Sequence, residues 1–286
     1  MKLSITFLPL IILIIAGCNN KPIEFKQSKY VTSFAQYSQR VKDTFHISVQ
    51  IPLEYDEREE RRYPTIVLLD GNFYFPMMSA VLHQYETAGL LPPMILISVG
   101  YDSFKMMDSL RSRDYLYPNA LPSDELPAVG DGENFRAYIV EELLPRVDEN
   151  YRTRREDRAL LGHSFGGYFV LYALLRQAEE NSRVFKNFIS ASPPLWYHEF
   201  YASQVVDKLK KRRAKNVLNI FLGVGGLEDS TWTVAPVKKL NDELVERNID
   251  AIELQTKVYS ELDHMDVGVL TFTKGLQHYY RRRGRP

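Results

Sequence analysis

Arg158-Ala159-Leu160-Leu161-Gly162-His163-Ser164-Phe165-Gly166-Gly167-Tyr168-Phe169-Val170-Leu171 is the stretch that decides the architecture of this chain. A short apolar run enters it, a longer one leaves it, and a serine sits between glycines at the apex. That order predicts a strand, a sharp turn and a helix, the arrangement called a nucleophile elbow. The flanking glycines remove side chains that would collide inside so tight a turn. The serine oxygen then stands clear of the sheet, and the N–H groups opening the helix face the same space.

Outward from the elbow the chain alternates strand and helix patterns. Residues 45–52 alternate apolar and polar, as a half-buried strand does. Residues 65–69 and 94–99 are continuously apolar and read as central strands, followed by 158–161, 188–191, 218–224 and 252–259. Helical patterns fall at 76–88, 133–150, 166–180, 235–248 and 267–282, with Pro145 expected to bend or split the second. Residues 55–62 are almost all charged and read as an exposed hairpin loop. Residues 108–132, with Pro118, Pro122 and Pro127, read as a long irregular loop walling a binding site. The expectation is a single α/β domain over 38–286, with a mostly parallel sheet and helices on both faces.

Composition narrows the function classes. The chain has 286 residues, 45% of them hydrophobic, which is ample for a sizeable core. Its 36 basic and 36 acidic residues cancel, so it is not expected to bind nucleic acid. The basic run Arg281–Arg285 reads as a solvated tail. The one cysteine and six histidines show no zinc spacing, so neither a metal nor an organic cofactor is expected.

The beginning of the chain has a different task. Lys2 is followed by an apolar stretch over residues 3–15, then by Ala16-Gly17-Cys18. A short apolar run ending in small residues before a cysteine is similar to a bacterial lipoprotein signal. On this reading residues 1–17 are removed, Cys18 carries the lipid, and 18–37 form a lipidated tether. The expected location is the cell envelope, anchored rather than spanning. Asn19, which replaces the aspartate of inner-membrane retention, tilts this toward an outer membrane.

A serine needs a base within reach and a group to orient that base. His264, after the last strand and before the last helix, is the candidate base. His163 is expected to pack near the elbow with its side chain pointing away. The acid is expected just after residue 224, where Glu228 and Asp229 are both available. Oxyanion donors are expected from the N–H of Phe165 and from the turn after residue 69, where Gly71 allows close approach and Asn72 supplies the N–H.

Together, Leu69-Asp70-Gly71, Arg113-Asp114-Tyr115-Leu116-Tyr117-Pro118, Gly162 to Gly167, Ser192-Pro193-Pro194-Leu195-Trp196, Gly225-Gly226-Leu227-Glu228 and His264 resemble the esterase family of α/β-hydrolases. That family includes esterase D-like, feruloyl and ferric-siderophore esterases and mycolyltransferases, and the siderophore branch is the most similar. The resemblance implies an α/β-hydrolase fold and a serine esterase working through an acyl-enzyme on small-molecule esters, with siderophore-type lactones, feruloyl or acetyl sugar esters and simple esters as the alternatives. It implies Ser164 as nucleophile, His264 as base and Glu228 over Asp229 as acid. It also places Arg113 and Trp196 in the substrate pocket, with Arg111 as a second basic candidate. Equally, Arg111 or Arg113 pairs with Asp108 or Asp114 as loop architecture. Acyl transfer to another alcohol, and a non-catalytic surface-binding lipoprotein on the same scaffold, are the rival expectations.

Overall fold

The computed structural model describes residues 29–214 and 216–281. The leader over 1–17, Cys18 and the basic end beyond Arg281 lie outside the described residues. The strands are β1 (Val31–Tyr37), β2 (Thr44–Gln50), β3 (Tyr63–Leu68), β4 (Ile95–Gly100), β5 (Thr153–His163), β6 (Asn187–Ala191), β7 (Leu218–Gly225) and β8 (Ile252–Tyr259). They form one sheet in the order β1-β2-β4-β3-β5-β6-β7-β8. β2 runs antiparallel to β1 and to β4, and every other pair is parallel. Every residue of β3, β4, β6 and β7 is buried, which is why these strands read as unbroken apolar runs.

The helices are α1 (Gly71–Thr87), α2 (Phe104–Tyr115), α3 (Gly132–Ala137), α4 (Leu144–Asn150), α5 (Phe165–Glu180), α6 (Tyr197–Phe200), α7 (Val205–Lys211), α8 (Ala235–Glu246) and α9 (Val267–Tyr280). Side chains alternate across the sheet, so each strand serves two cores. Ile66 and Leu68 pack with Tyr74, Met78 and Leu82 of α1 and with Phe272 and Leu276 of α9. Val67 and Leu69 face the opposite way, into the larger cluster built from α2, α3, α5, α7 and α8. α5 is apolar on nearly all sides, and Gly166 through Leu175 are all buried. Among the described residues no helix is long and apolar enough to cross a membrane.

Three expectations need correction. Residues 31–37, assigned to the tether, form the edge strand β1, paired from Val31↔Gln50 to Tyr37↔Thr44. Residues 55–62 are not a hairpin, because β4 lies between β2 and β3; a 3-10 turn over Tyr55–Glu57 begins the crossover. The loop expected at 108–132 is helical up to Tyr115, because Ser103 caps α2 through its side chain, accepting from Met106 N–H at 3.2 Å. The helix expected at 133–150 is interrupted just before Pro145, as that proline suggested, with the proline in the first turn of α4. A π turn at Tyr138–Leu143 directly precedes α4 and absorbs the hydrogen bond that proline cannot donate.

The elbow closes as tightly as its glycines suggest. A Cβ on Gly162 would lie 2.2 Å from the Gly166 carbonyl oxygen, and one on Gly167 would lie 2.5 Å from that of Ala191. Ser164 takes φ 57°, ψ −123°, a conformation that non-glycine residues rarely adopt. Gly162→Ala is therefore expected to destabilise the fold by about 2–3 kcal/mol or to prevent folding. Urea unfolding measures it, and a midpoint equal to wild type would contradict this reading of the turn.

Candidate active site

Parallel strands end at one edge, and the register brings their carboxyl ends level: Leu68 opposite Leu161, His163 opposite Ala191, Ala191 opposite Gly223. Loops leaving these ends therefore lie together at one edge of the sheet, the usual ligand position in open α/β sheets. Asp70-Gly71-Asn72 follows β3, Ser164 follows β5, Ser192 follows β6, Glu228 follows β7 and His264 follows β8.

Glu228 is almost wholly buried and is hydrogen-bonded from three directions. His264 Nδ1 donates to its Oε2 at 2.7 Å, the Gly225 N–H donates to Oε1 at 2.7 Å, and the Ser192 hydroxyl donates to Oε1. Burial alone would raise its pKa. The three donors and the positive charge available on His264 outweigh burial and hold the carboxyl below its usual range. An ionised acceptor fixes the imidazole proton on Nδ1 and leaves Nε2 as the free lone pair. Asp229 turns the other way. Its Oδ1 caps the next helical turn, accepting from Thr231 N–H at 2.8 Å and Trp232 N–H at 2.7 Å. The structure thus brings Glu228, not its neighbour, to His264.

His163 departs from expectation. Its ring does not point away but lies 4.6 Å from the His264 ring and 5.8 Å from that of Tyr74. It is buried, and burial with the nearby His264 and Arg111 lowers its pKa to about 3. The elbow therefore presents a neutral imidazole to the back of His264. Ser164 itself is held by its backbone: its N–H donates to the Ala191 carbonyl at 2.9 Å, and its carbonyl accepts the Tyr168 N–H at 2.9 Å.

Phe165 is the first residue of α5, and Asn72 the second of α1, so neither N–H has an acceptor within its own helix. The Asn72 side chain is engaged elsewhere, accepting from the Tyr101 N–H at 2.7 Å and donating to the Tyr101 carbonyl at 2.8 Å. Gly71 is required for fit, since a Cβ there would meet Ser98 Oγ at 2.1 Å.

The proposed pocket residues are placed differently. Arg113 forks onto Asp114 at 2.7 and 3.0 Å and reaches Asp43 at 2.9 Å. Arg111 forks onto Asp70 at 2.8 and 2.8 Å. All three Arg113 nitrogens are thus held by carboxylates, whereas Arg111 Nη1 makes no hydrogen bond among the described residues. Of the two carboxylates suggested as loop partners, Asp114 is used, by Arg113. Trp196 is half-buried against the larger core. The sequence reading missed Ser192, whose hydroxyl orients Glu228, and Trp232, which is exposed in the turn that Asp229 caps. A serine directly after an apolar strand was the only signal for the first. Among the described residues no cluster of His, Cys, Asp or Glu could hold a metal ion.

Comparison with known proteins adds four findings. Residues 38–266 match the family model described as "Putative esterase". The chain is 30% identical over 198 residues to the ferri-bacillibactin esterase BesA of Bacillus subtilis, covering 65% of this chain and 66% of that protein. It is 33% identical over 141 residues to the apo-salmochelin esterase of Escherichia coli O6:H1, covering 46% of this chain and 42% of that protein. The chain thus spans just under two thirds of the first relative and less than half of the second. In fold it is similar to the BES protein from Bacillus cereus, with TM-score 0.75, 24% identity, and coverage of 90% of this chain and 98% of that one.

The buried His163 predicts a pH dependence of stability. Below its ordinary pKa of 6.5 the unfolded chain takes up a proton that the native imidazole refuses until about pH 3. The unfolded state then binds more protons, so stability falls with pH across that window, by about 1.4 kcal/mol per unit. Glu228 adds a loss at lower pH, as its lowered carboxyl is finally protonated. Comparing wild type with His163→Gln isolates the first effect. Between pH 7 and 4.5 the variant is expected to lose about 2–3 kcal/mol less. Equal losses in denaturant titrations would refute a neutral buried His163.

Proposed function

We propose, on the premise that this chain belongs to the esterase family of α/β-hydrolases, that it is a serine esterase cleaving siderophore-type esters through an acyl-enzyme. One observation carries the reading. An ionised, buried Glu228 holds His264 at 2.7 Å, beside an elbow whose serine keeps φ 57°, ψ −123°. A binding scaffold has no physical need for that arrangement. The relatives named for ferri-bacillibactin and apo-salmochelin support the substrate class.

The chemistry follows from the groups present. Ser164 Oγ attacks the ester carbonyl while its proton passes to His264 Nε2. Glu228 stabilises the imidazolium that forms, without itself taking the proton. The carbonyl oxygen, now an alkoxide, accepts from the Phe165 and Asn72 N–H groups. The C–O bond breaks, and the leaving alcohol takes the proton from His264. Water then adds to the acyl-enzyme with the same base, and the acid departs as Ser164 recovers its proton. Arg113 is fully engaged by Asp114 and Asp43, while Arg111, beside the elbow, keeps Nη1 available to a substrate oxygen.

The reading extends to residues outside the described part of the chain. Residues 1–17 are a cleaved signal, Cys18 carries the lipid, and a tether leads to β1 at Val31. Supporting this are the apolar run before Ala16-Gly17-Cys18 and the position of Cys18 as the chain's one cysteine. Several acyl chains, each worth about 0.8 kcal/mol per buried methylene, would hold the enzyme at the envelope, with Asn19 favouring the outer membrane.

Two measurements test these proposals. In a form lacking residues 1–18, turnover of an aryl ester and of a ferric siderophore triester is expected to fall about a millionfold in Ser164→Ala and about 10⁴-fold in Glu228→Gln. A Ser164→Ala variant as active as wild type would end the esterase reading. For the anchor, the full chain expressed in a bacterium is expected in the membrane fraction, and Cys18→Ser in the soluble fraction after signal removal. Equal partitioning of the two would rule out lipidation at that residue.

A further inference from the structure

Ester cleavage by this arrangement gives the substrate a direction. The carbonyl oxygen points to the N–H groups of Phe165 and Asn72, on the loops after β5 and β3. The leaving alcohol takes its proton from His264, on the loop after β8, so its oxygen must come within hydrogen-bond reach of that imidazole. In the order β3-β5-β6-β7-β8, strands β3 and β8 lie on opposite sides of the serine's strand. The alcohol half of the ester therefore meets the loops after β7 and β8, and the side chains that those loops expose.

Three of those side chains are large, apolar and open to solvent. Leu227, directly before the acid, is 68% exposed; Trp232, in the turn that follows the acid, is 58% exposed; Met265, directly after the base, is 60% exposed. Single exposed apolar residues are ordinary, but these three gather on the loops that carry the acid and the base. The two loops are tied backbone to backbone, the Leu227 N–H to the Leu262 carbonyl at 3.0 Å and the Gly226 N–H to that of Tyr259 at 2.8 Å. Trp232 and Met265 each stand on an N–H that an aspartate accepts, Asp229 Oδ1 from Trp232 at 2.7 Å and Asp263 Oδ1 from Met265 at 2.9 Å. Their backbones are thus held while their side chains meet water. Around them Asp229, Glu261, Asp263 and Asp266 are also exposed. Among the described residues the one ion pair these loops make is His264 with Glu228. An acidic rim without cations repels an anion, so the apolar side chains suit an uncharged ring.

We propose that Trp232, with Leu227 and Met265, is a specificity-determining platform for the leaving alcohol, taking an uncharged aromatic ring carried by that half of the ester. The inference rests on the esterase reading above and adds which half of the substrate these loops recognise. An indole offers a flat π face and has only two side-chain torsions to fix, so it stacks on a ring at small entropic cost. The ring lies away from the bond being broken, so ground state and transition state gain the contact alike. Such a contact lowers KM and leaves kcat.

The test uses the full chain and three esters: ethyl acetate, phenethyl acetate with its ring on the alcohol, and ethyl hydrocinnamate with its ring on the acyl group. Ser164-dependent kcat/KM for each aromatic ester is divided by that for ethyl acetate. In Trp232→Ala the alcohol-side ratio is expected to fall about tenfold, through KM, and the acyl-side ratio by less than twofold. Trp232→Phe keeps a ring and is expected to retain at least a third of the wild-type alcohol-side ratio. In wild type, a ring-carboxylated phenethyl acetate is expected at least threefold below its uncharged counterpart. Equal falls in both ratios, as a general distortion of the site would give, overturn the proposal. So does an unmoved alcohol-side ratio, or equal turnover of the charged and uncharged rings. If Trp232→Ala instead loses binding to anionic lipid vesicles, or elutes as a smaller species than wild type, with both ratios unmoved, the patch serves a membrane or a second copy and the proposal fails. Wild-type enzyme with no Ser164-dependent turnover of any of the esters would sink the esterase reading, and this inference with it.

Discussion

The contact between Gly162 and Gly166 is the constraint on which the rest of the site depends. With a Cβ at Gly162 only 2.2 Å from the Gly166 carbonyl oxygen, strand β5 and helix α5 approach as closely as bare backbone permits. That approach forces Ser164 into its φ 57°, ψ −123° conformation. It also sets the first N–H of α5 beside the serine instead of a turn away. The strain is held by what surrounds it, since α5 is buried along most of its length and β5 lies in mid-sheet. An elbow on an edge strand or an exposed helix would have room to relax.

Around the elbow the chemistry depends on buried carboxylates, each of which must be matched by donors. Glu228 has His264, Ser192 and the Gly225 N–H. Asp70 has Arg111. Asp114, fully buried, has Arg113 and the Tyr101 hydroxyl, and Tyr101 in turn holds the Asn72 side chain through its backbone. The three carboxylates serve different ends. Glu228 orients a base, while the other two are locked to arginines and frame the crevice. His163 completes the picture from below, as a neutral imidazole packed against His264, so that no further charge competes for the imidazolium.

Much of this was legible in the residues. The central strands, α5, α9, the elbow and the order serine, acid, histidine all follow from local apolar pattern, glycine placement and chain order. The errors have a common cause. Residues 31–37 carry a weak strand pattern and become β1 only because β2 offers an open edge to pair with. The crossover at 55–62 resembles a hairpin until the sheet order inserts β4 between its flanking strands. Residues 108–115 are polar and arginine-rich, and only the Ser103 cap and the packing of Met107 and Tyr115 onto the core make them a helix.

Residue type and spacing alone point to a chemistry: a serine between glycines, a histidine after the last strand and two adjacent carboxylates. Tertiary structure decided which of these groups meet. Glu228 turns inward because Gly225 and Ser192 meet it there, and Asp229 turns outward to cap a helix. Arg113 is tied to Asp114 and Asp43, and Arg111 to Asp70 and the His163 carbonyl beside the elbow. The physical reason is that side-chain identity and periodicity are local properties. Pairing among buried charges is settled only when segments distant in sequence converge, and each group takes the partner that best compensates for its lost water.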